Sequence, residues 1–179
     1  MNEAEVEDLL DQIGAKAQNL YRSRQFMCAE SVLLAVSKGL GQDIPEQAAI
    51  ALAAPFSDGM GGSGCTCGAL SGGVMSIGIS LGKGETWGQR EKARRFSKDL
   101  HARFTGRFRS ACCRILCKDV RADPKKHFNQ CAAITGETAK MTARLIIEQE
   151  QALANKGNSR FLKTRNSVIG GLLKRVMPG

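Results

Sequence analysis

Gly68-Ala69-Leu70-Ser71-Gly72-Gly73-Val74-Met75-Ser76-Ile77-Gly78-Ile79-Ser80-Leu81 is apolar almost all the way round a helical wheel, and this run decides the fold. A helix hydrophobic on every side belongs inside a protein or a membrane. This one is shorter than the roughly 20 residues that cross a bilayer, and its three serines also favour a protein interior. It is therefore predicted as a buried central helix. Its glycines remove side-chain bulk and let neighbouring helices approach closely.

The flanking sequence supplies those neighbours. Val6, Leu9, Leu10, Ile13, Ala17 and Leu20 recur at intervals of three and four, which predicts an amphipathic helix over residues 4–22. A second periodic run starts at Cys28, continues through Val32, Leu33, Ala35 and Val36, and stops at Gly39 and Gly41. Pro45 opens a short small-residue helix that Pro55 ends. Residues 86–105 form an amphipathic helix with a solvated charged face. A last helix is expected from about 128 to 153, after a turn at Asp123-Pro124 and with Cys131 in its first turn. Aromatic residues are only 5% of the chain and Gly numbers 20, a mixture that favours close-packed helices over a β-sandwich. The fold class is all-α, a compact helical bundle with a Gly-rich, Cys-bearing loop and a basic C-terminal tail.

The 179 residues suffice for one domain with a real core. The expected organisation is a helical domain over 1–154 and a basic tail over 155–179, flexible or forming a short amphipathic helix from Ser167 to Val176. Six of the nine net positive charges fall in residues 156–179, which contain no acid. A polyanion contact through this tail is therefore a functional class to carry forward, although Phe161 is its only aromatic and no nucleic-acid motif is present. No run is long enough to span a bilayer, and the acidic opening is unlike a signal peptide, so the expected location is cytoplasmic.

Seven cysteines, an odd number in a chain that needs no disulfides for stability, point to ligands or redox groups. They occupy positions 28, 65, 67, 112, 113, 117 and 131. None forms a C-x-x-C, so local zinc-ribbon, haem-attachment and thioredoxin-like signatures are absent. Several stand at predicted helix starts or Gly-rich turns, where amide dipoles lower thiol pKa values. Residues 57–64, Ser-Asp-Gly-Met-Gly-Gly-Ser-Gly, are too glycine-rich for a helix and read as a loop able to take positive φ and approach a ligand. That loop lacks the Lys-Ser/Thr ending of a P-loop. Of the two histidines, His101 lies on a charged helix, while His127 stands four residues before Cys131 and is the better site neighbour. Arg114 is placed either to stabilise a thiolate or to form a surface salt bridge.

The order Phe26-Met27-Cys28-Ala29-Glu30, Gly59-Met60-Gly61-Gly62, Cys65-Thr66-Cys67-Gly68-Ala69-Leu70-Ser71-Gly72-Gly73, Cys112-Cys113-Arg114-Ile115-Leu116 and Cys131 resembles the C-GCAxxG-C-C family, found mainly in anaerobes. This resemblance covers roughly residues 20–150. It implies a helical fold and a redox or metal-linked role, but no substrate. It also implies that Cys28, Cys67, Cys113 and Cys131 are the recurring four, which makes them the expected metal and cofactor ligands converging on one centre. Cys65, Cys112 and Cys117 are then additional thiols, expected to exchange electrons. The leading expectation is an iron–sulfur cluster held by four thiolates, with zinc or no metal as the other outcomes. The alternative is a metal-free dithiol–disulfide oxidoreductase using Cys65 and Cys67, or Cys113 and Cys117. Expected partners are a redox protein or a small thiol or disulfide, with a homodimer left open.

Overall fold

The structure, a computed structural model, describes residues 1–82, 84 and 86–169. Helix α1 (Glu3–Arg22) begins with a capping box: Asn2 accepts from the Glu5 N–H, and the Glu5 carboxylate accepts from the Asn2 N–H. This satisfies two amide donors that a helix start leaves bare. Helix α2 (Cys28–Gly39) repeats part of the device, with the Glu30 carboxylate accepting from the Met27 N–H at 2.6 Å. Gly41 ends the turn after α2 at φ +66°, a conformation that favours glycine.

Helix α3 (Glu46–Ala53) runs into a 3₁₀ turn (Ala54–Phe56) and the single turn α4 (Ser57–Met60). Then come α5 (Gly68–Leu81), α6 (Trp87–Phe108), α7 (Cys113–Leu116) and α8 (Pro124–Gln149). A 3₁₀ segment (Gln151–Lys156) and α9 (Ser159–Lys163) complete the described chain. Among the described residues there is no strand, only one isolated antiparallel bridge between Thr66 and Cys112. None of these helices is long and apolar enough to cross a membrane.

The run that opened the sequence reading is indeed a central helix. α5 packs against α2, α6 and α8, while α1 lies across α2 and α8. Two of its glycines face the neighbours: a Cβ on Gly73 would stand 2.6 Å from Thr142 Oγ1 and 2.8 Å from a Leu100 methyl, and one on Gly72 would collide with the Ala29 carbonyl. Gly14 and Gly136 allow an equally close crossing of α1 and α8, each facing the other's carbonyl oxygen. Around these crossings Leu10, Ile13, Leu33, Leu34, Ile77, Leu100, Phe104, Leu145 and Ile146 are fully buried.

One helix boundary differs from expectation. The last helix starts at Pro124, not near residue 128, because Asp123 caps it by accepting from the Lys125 and Lys126 N–H groups. Proline is well suited to the first helical position, where its missing N–H would have no partner. Cys131 therefore sits two turns into α8. The segment after residue 154 docks on the body as far as Asn166. Leu162 is buried, Phe161 lies beneath the Lys16 and Lys38 ammonium groups, and Lys16 donates to the Thr164 carbonyl and Asn166. The helix expected over 167–176 falls largely outside the described residues.

A Gly72→Ala substitution is expected to destabilise the fold by about 1–3 kcal/mol, the usual cost of overpacking. The check is a lower urea midpoint with an unchanged m-value. Gly78→Ala, where an added Cβ meets nothing within 4 Å, should leave the midpoint unchanged or raise it.

Candidate metal and redox centre

The site begins with a backbone clamp. The Cys67 N–H donates to the Ala111 carbonyl at 2.8 Å, the Cys113 N–H to the Cys65 carbonyl at 2.5 Å, and the Arg114 N–H to the Gly64 carbonyl at 3.0 Å. Two cysteine-bearing segments, far apart in sequence, are thus joined as a short antiparallel pair centred on Thr66 and Cys112. Thr66 and Cys112 stand opposite one another in this pair, and the residues that follow them, Cys67 and Cys113, both reach the cavity behind it.

The Gly-rich loop makes the clamp reachable. Asp58, Gly59, Met60, Gly61, Gly62 and Gly64 all have φ between +54° and +85°. Gly59 is also sterically required, since a Cβ there would stand 2.6 Å from the Cys113 Cβ. Arg114 donates to the Ser63 carbonyl at 2.8 Å and lies against Gly64, so it braces this loop. The other segments enter by their own local rules. Cys28 opens α2, Cys67 is the residue before α5, and Cys113 opens the short α7, which Cys117 terminates. Gln130 on α8 donates to the Leu116 carbonyl at 2.6 Å, fixing the end of α7 against α8. That contact brings the Cys117 and Cys131 sulfurs to 3.8 Å.

The result is a cavity of about 160 Å³ lined by Cys28, Cys67, Cys113, Cys117 and Cys131, with His127, Asp58 and Tyr21 among the other walls. The structure brings together the four cysteines named by resemblance and groups Cys117 with them. Cys65 and Cys112 are not among the lining residues: Cys65 is exposed, and the Cys112 thiol donates to the Gly64 carbonyl at 3.3 Å. His127 takes its place because it lies one turn before Cys131 on the same face of α8. The ligand atoms of Cys117, His127 and Cys131 all fall within 4.8 Å of one another. Tyr21 was not anticipated. It is an apolar-stripe neighbour on α1, stacked on Phe128 with its hydroxyl hydrogen-bonded to Cys131. Burial first, then the nearby Cys131, raises the pKa of that phenol.

The electrostatics reverse one expectation. Helix starts were expected to lower the thiol pKa values, yet burial raises that of Cys28 despite amide hydrogen bonds from Asp58 and Ala29. Burial likewise pushes Cys67 up to about 12, against the Leu70 and Ala69 amides. Cys113 is raised by its hydrogen bond with Cys117 and by burial. For Cys117, the bond with Cys113 pulls the pKa down, but the bond with Cys131 and burial outweigh it and leave it at about 11. Loss of hydration for a thiolate exceeds what two or three amide dipoles restore.

Residues 26–145, more than half of the chain, match the model of a family described as "putative redox-active protein (C_GCAxxG_C_C)". No curated protein and no solved structure matches the chain.

Two outcomes follow for the metal-free, reduced protein. Iodoacetamide at pH 8 should modify exposed Cys65 first and buried Cys67 and Cys117 last, as read by peptide mass spectrometry. Neutral buried thiols stabilise the fold fully below the ordinary thiol pKa of about 8.5. That contribution should be lost as pH rises through about 11 and about 12, the values for Cys117 and Cys67, and a thermal melt across this range measures the fall.

Proposed function

Because the chain belongs to the C_GCAxxG_C_C family, we propose that its thiol-lined cavity is a metal-loaded redox centre, an iron–sulfur cluster in particular, that carries electrons between partner proteins. One observation carries this reading: five cysteines from four separate segments face a single cavity, with an imidazole beside them. Scattered structural thiols have no reason to converge, and soft sulfur donors select iron–sulfur, zinc or copper(I). The cavity's roughly 160 Å³ leaves room for a cluster. Four thiolates are the usual ligand set of a cluster.

Once bound, such a group supplies one-electron transfer at a potential set by its ligands, hydrogen bonds and exposure. The chain's own residues prepare the rest. Cys67 and Cys117, 7% and 4% exposed, keep water from one side. The Tyr21 hydroxyl donates toward the Cys131 sulfur and would withdraw negative charge from it. The raised thiol pKa values mean that loading releases protons, because only thiolates are ligands.

A second reading has its own observation. Cys117 and Cys131, 3.8 Å apart, could give two protons and two electrons to a small disulfide, leaving one S–S bond here and two small thiols outside.

Anaerobic purification distinguishes the two. The cluster reading expects a brown protein with iron and acid-labile sulfide, bleached by Cys67→Ser and unaffected by Cys65→Ser. A colourless protein without iron that loses two hydrogens in mass on mild oxidation, with Cys117 and Cys131 linked, would replace it with the dithiol reading.

A further inference from the structure

Within this cavity the thiols are not equivalent. Half-buried Cys28 and buried Cys67 form one wall, where Cys28 Sγ rests so close to Gly68 that a Cβ on that glycine would stand 2.5 Å away. Cys117, His127 and Cys131 form a second group on the α7–α8 side, where His127 and Cys131 are half-buried and so reachable from solvent. The spacing of this second group carries information. Two thiolates at about 2.3 Å from one tetrahedral metal stand about 3.8 Å apart, and a thiolate and an imidazole nitrogen about 3.5 Å. Cys117 and Cys131 are 3.8 Å apart, and the His127 nitrogen lies within 4.8 Å of both. Thiolates on different irons of a cluster stand well beyond that separation.

We propose that Cys117, His127 and Cys131 bind one and the same metal atom, a Cys₂His corner for a borderline divalent ion such as ferrous iron or zinc. The corner rests on the reading of the cavity as a metal-loaded centre and specifies how one part of it is built. Cys113, hydrogen-bonded to Cys117 and lining the same cavity, is the thiol that would complete a tetrahedron. The corner is rigid for local reasons. His127 and Cys131 project from adjacent turns of α8, whose start is fixed by the Asp123 cap and the Pro124 first residue. Cys117 is held by the bond between Gln130 and the Leu116 carbonyl. An imidazole in place of a thiolate removes a negative charge from the ligand set, and such a substitution raises the reduction potential of an iron site.

The test uses the full, reduced, metal-stripped chain titrated anaerobically with Co²⁺ alone. The wild type should take up Co²⁺ with visible bands of tetrahedral cobalt and thiolate charge transfer, and Zn²⁺ should bleach them. His127→Ala and Cys117→Ser should weaken Co²⁺ binding by at least the roughly 10–100-fold that losing even an outer partner of a metal ligand costs. His127→Cys should restore tight binding with stronger charge transfer, which a merely structural role for His127 would not produce. The Cys28→Ser/Cys67→Ser double variant should still take one Co²⁺ with the wild-type bands, and circular dichroism verifies that each variant is folded. If the folded His127→Ala and Cys117→Ser variants bind Co²⁺ as the wild type does while the double variant does not, the corner is wrong and the metal belongs to the wall formed by Cys28 and Cys67. A wild-type chain that takes up no Co²⁺ and carries no iron when isolated overturns both the corner and the metal-centre reading.

Discussion

The antiparallel pairing of residues 64–67 with 111–114 is the constraint on which the site depends. Its hydrogen bonds satisfy backbone groups that a loop turning inward would otherwise bury without partners. They also settle which member of the adjacent pair Cys112-Cys113 faces the cavity. In this clamp Cys67 and Cys113 line the cavity, while the Cys112 thiol turns to the Gly64 carbonyl. The glycines serve this one arrangement. Gly59 lets the Cys113 side chain lie on its backbone, and Gly68 does the same for the Cys28 sulfur, so two of the cysteines are seated against main chain. The positive φ values at Asp58 and Met60 show the same loop forcing even non-glycine residues into an unfavourable region, as strained functional loops do.

The competition between helix dipoles and burial explains the state of the thiols. Cys28 and Cys67 each receive amide hydrogen bonds at a helix start, a geometry that activates exposed cysteines. Here the side chains are buried, and desolvation of the charged form is the larger effect. The cavity therefore holds neutral thiols until something arrives to stabilise their thiolates. A positive metal centre does this, whereas a passing small disulfide reaches only the half-buried members. The balance of these two effects favours stored ligands over permanently activated nucleophiles.

Much of this was legible in the sequence. Periodicity alone located α1, α2, α5 and α6, and the all-apolar run of α5 identified the middle of the bundle. The failures have physical causes. The start of α8 was placed too late because Asp123-Pro124 was read as a turn, although the same dipeptide is a cap followed by a first helical residue. That Cys117 lines the cavity depends on a contact between the side chain of Gln130 and the backbone of Leu116, and spacing does not encode such a contact. The docking of residues 155–166 rests on two apolar side chains, Phe161 and Leu162, in a polar stretch too short to show a period. The resemblance named four recurring cysteines, but its motifs begin at Phe26 and gave no signal for Tyr21, which also precedes the family match of 26–145.

Tyr21 indicates what the surrounding chain adds to the matched region of 26–145. Helix α1 lies before that region, yet it crosses α8 at Gly14 and Gly136 and is tied to it by Lys140 with Glu7 and Asp11, and by Arg144 with Glu7. Exposed ion pairs contribute little individually, so the close glycine crossing and the buried stripe of α1 do most of the holding. The same helix places the Tyr21 hydroxyl at Cys131 and buries the Lys16 ammonium under residues 161–166. A displacement of α1 would therefore act on the centre twice, by releasing α8, which carries His127 and Cys131, and by removing a hydrogen bond from a sulfur. The residues before and after the matched region thus form one brace behind the cysteine-bearing wall, and the geometry of the centre depends on that brace as well as on the cysteines themselves.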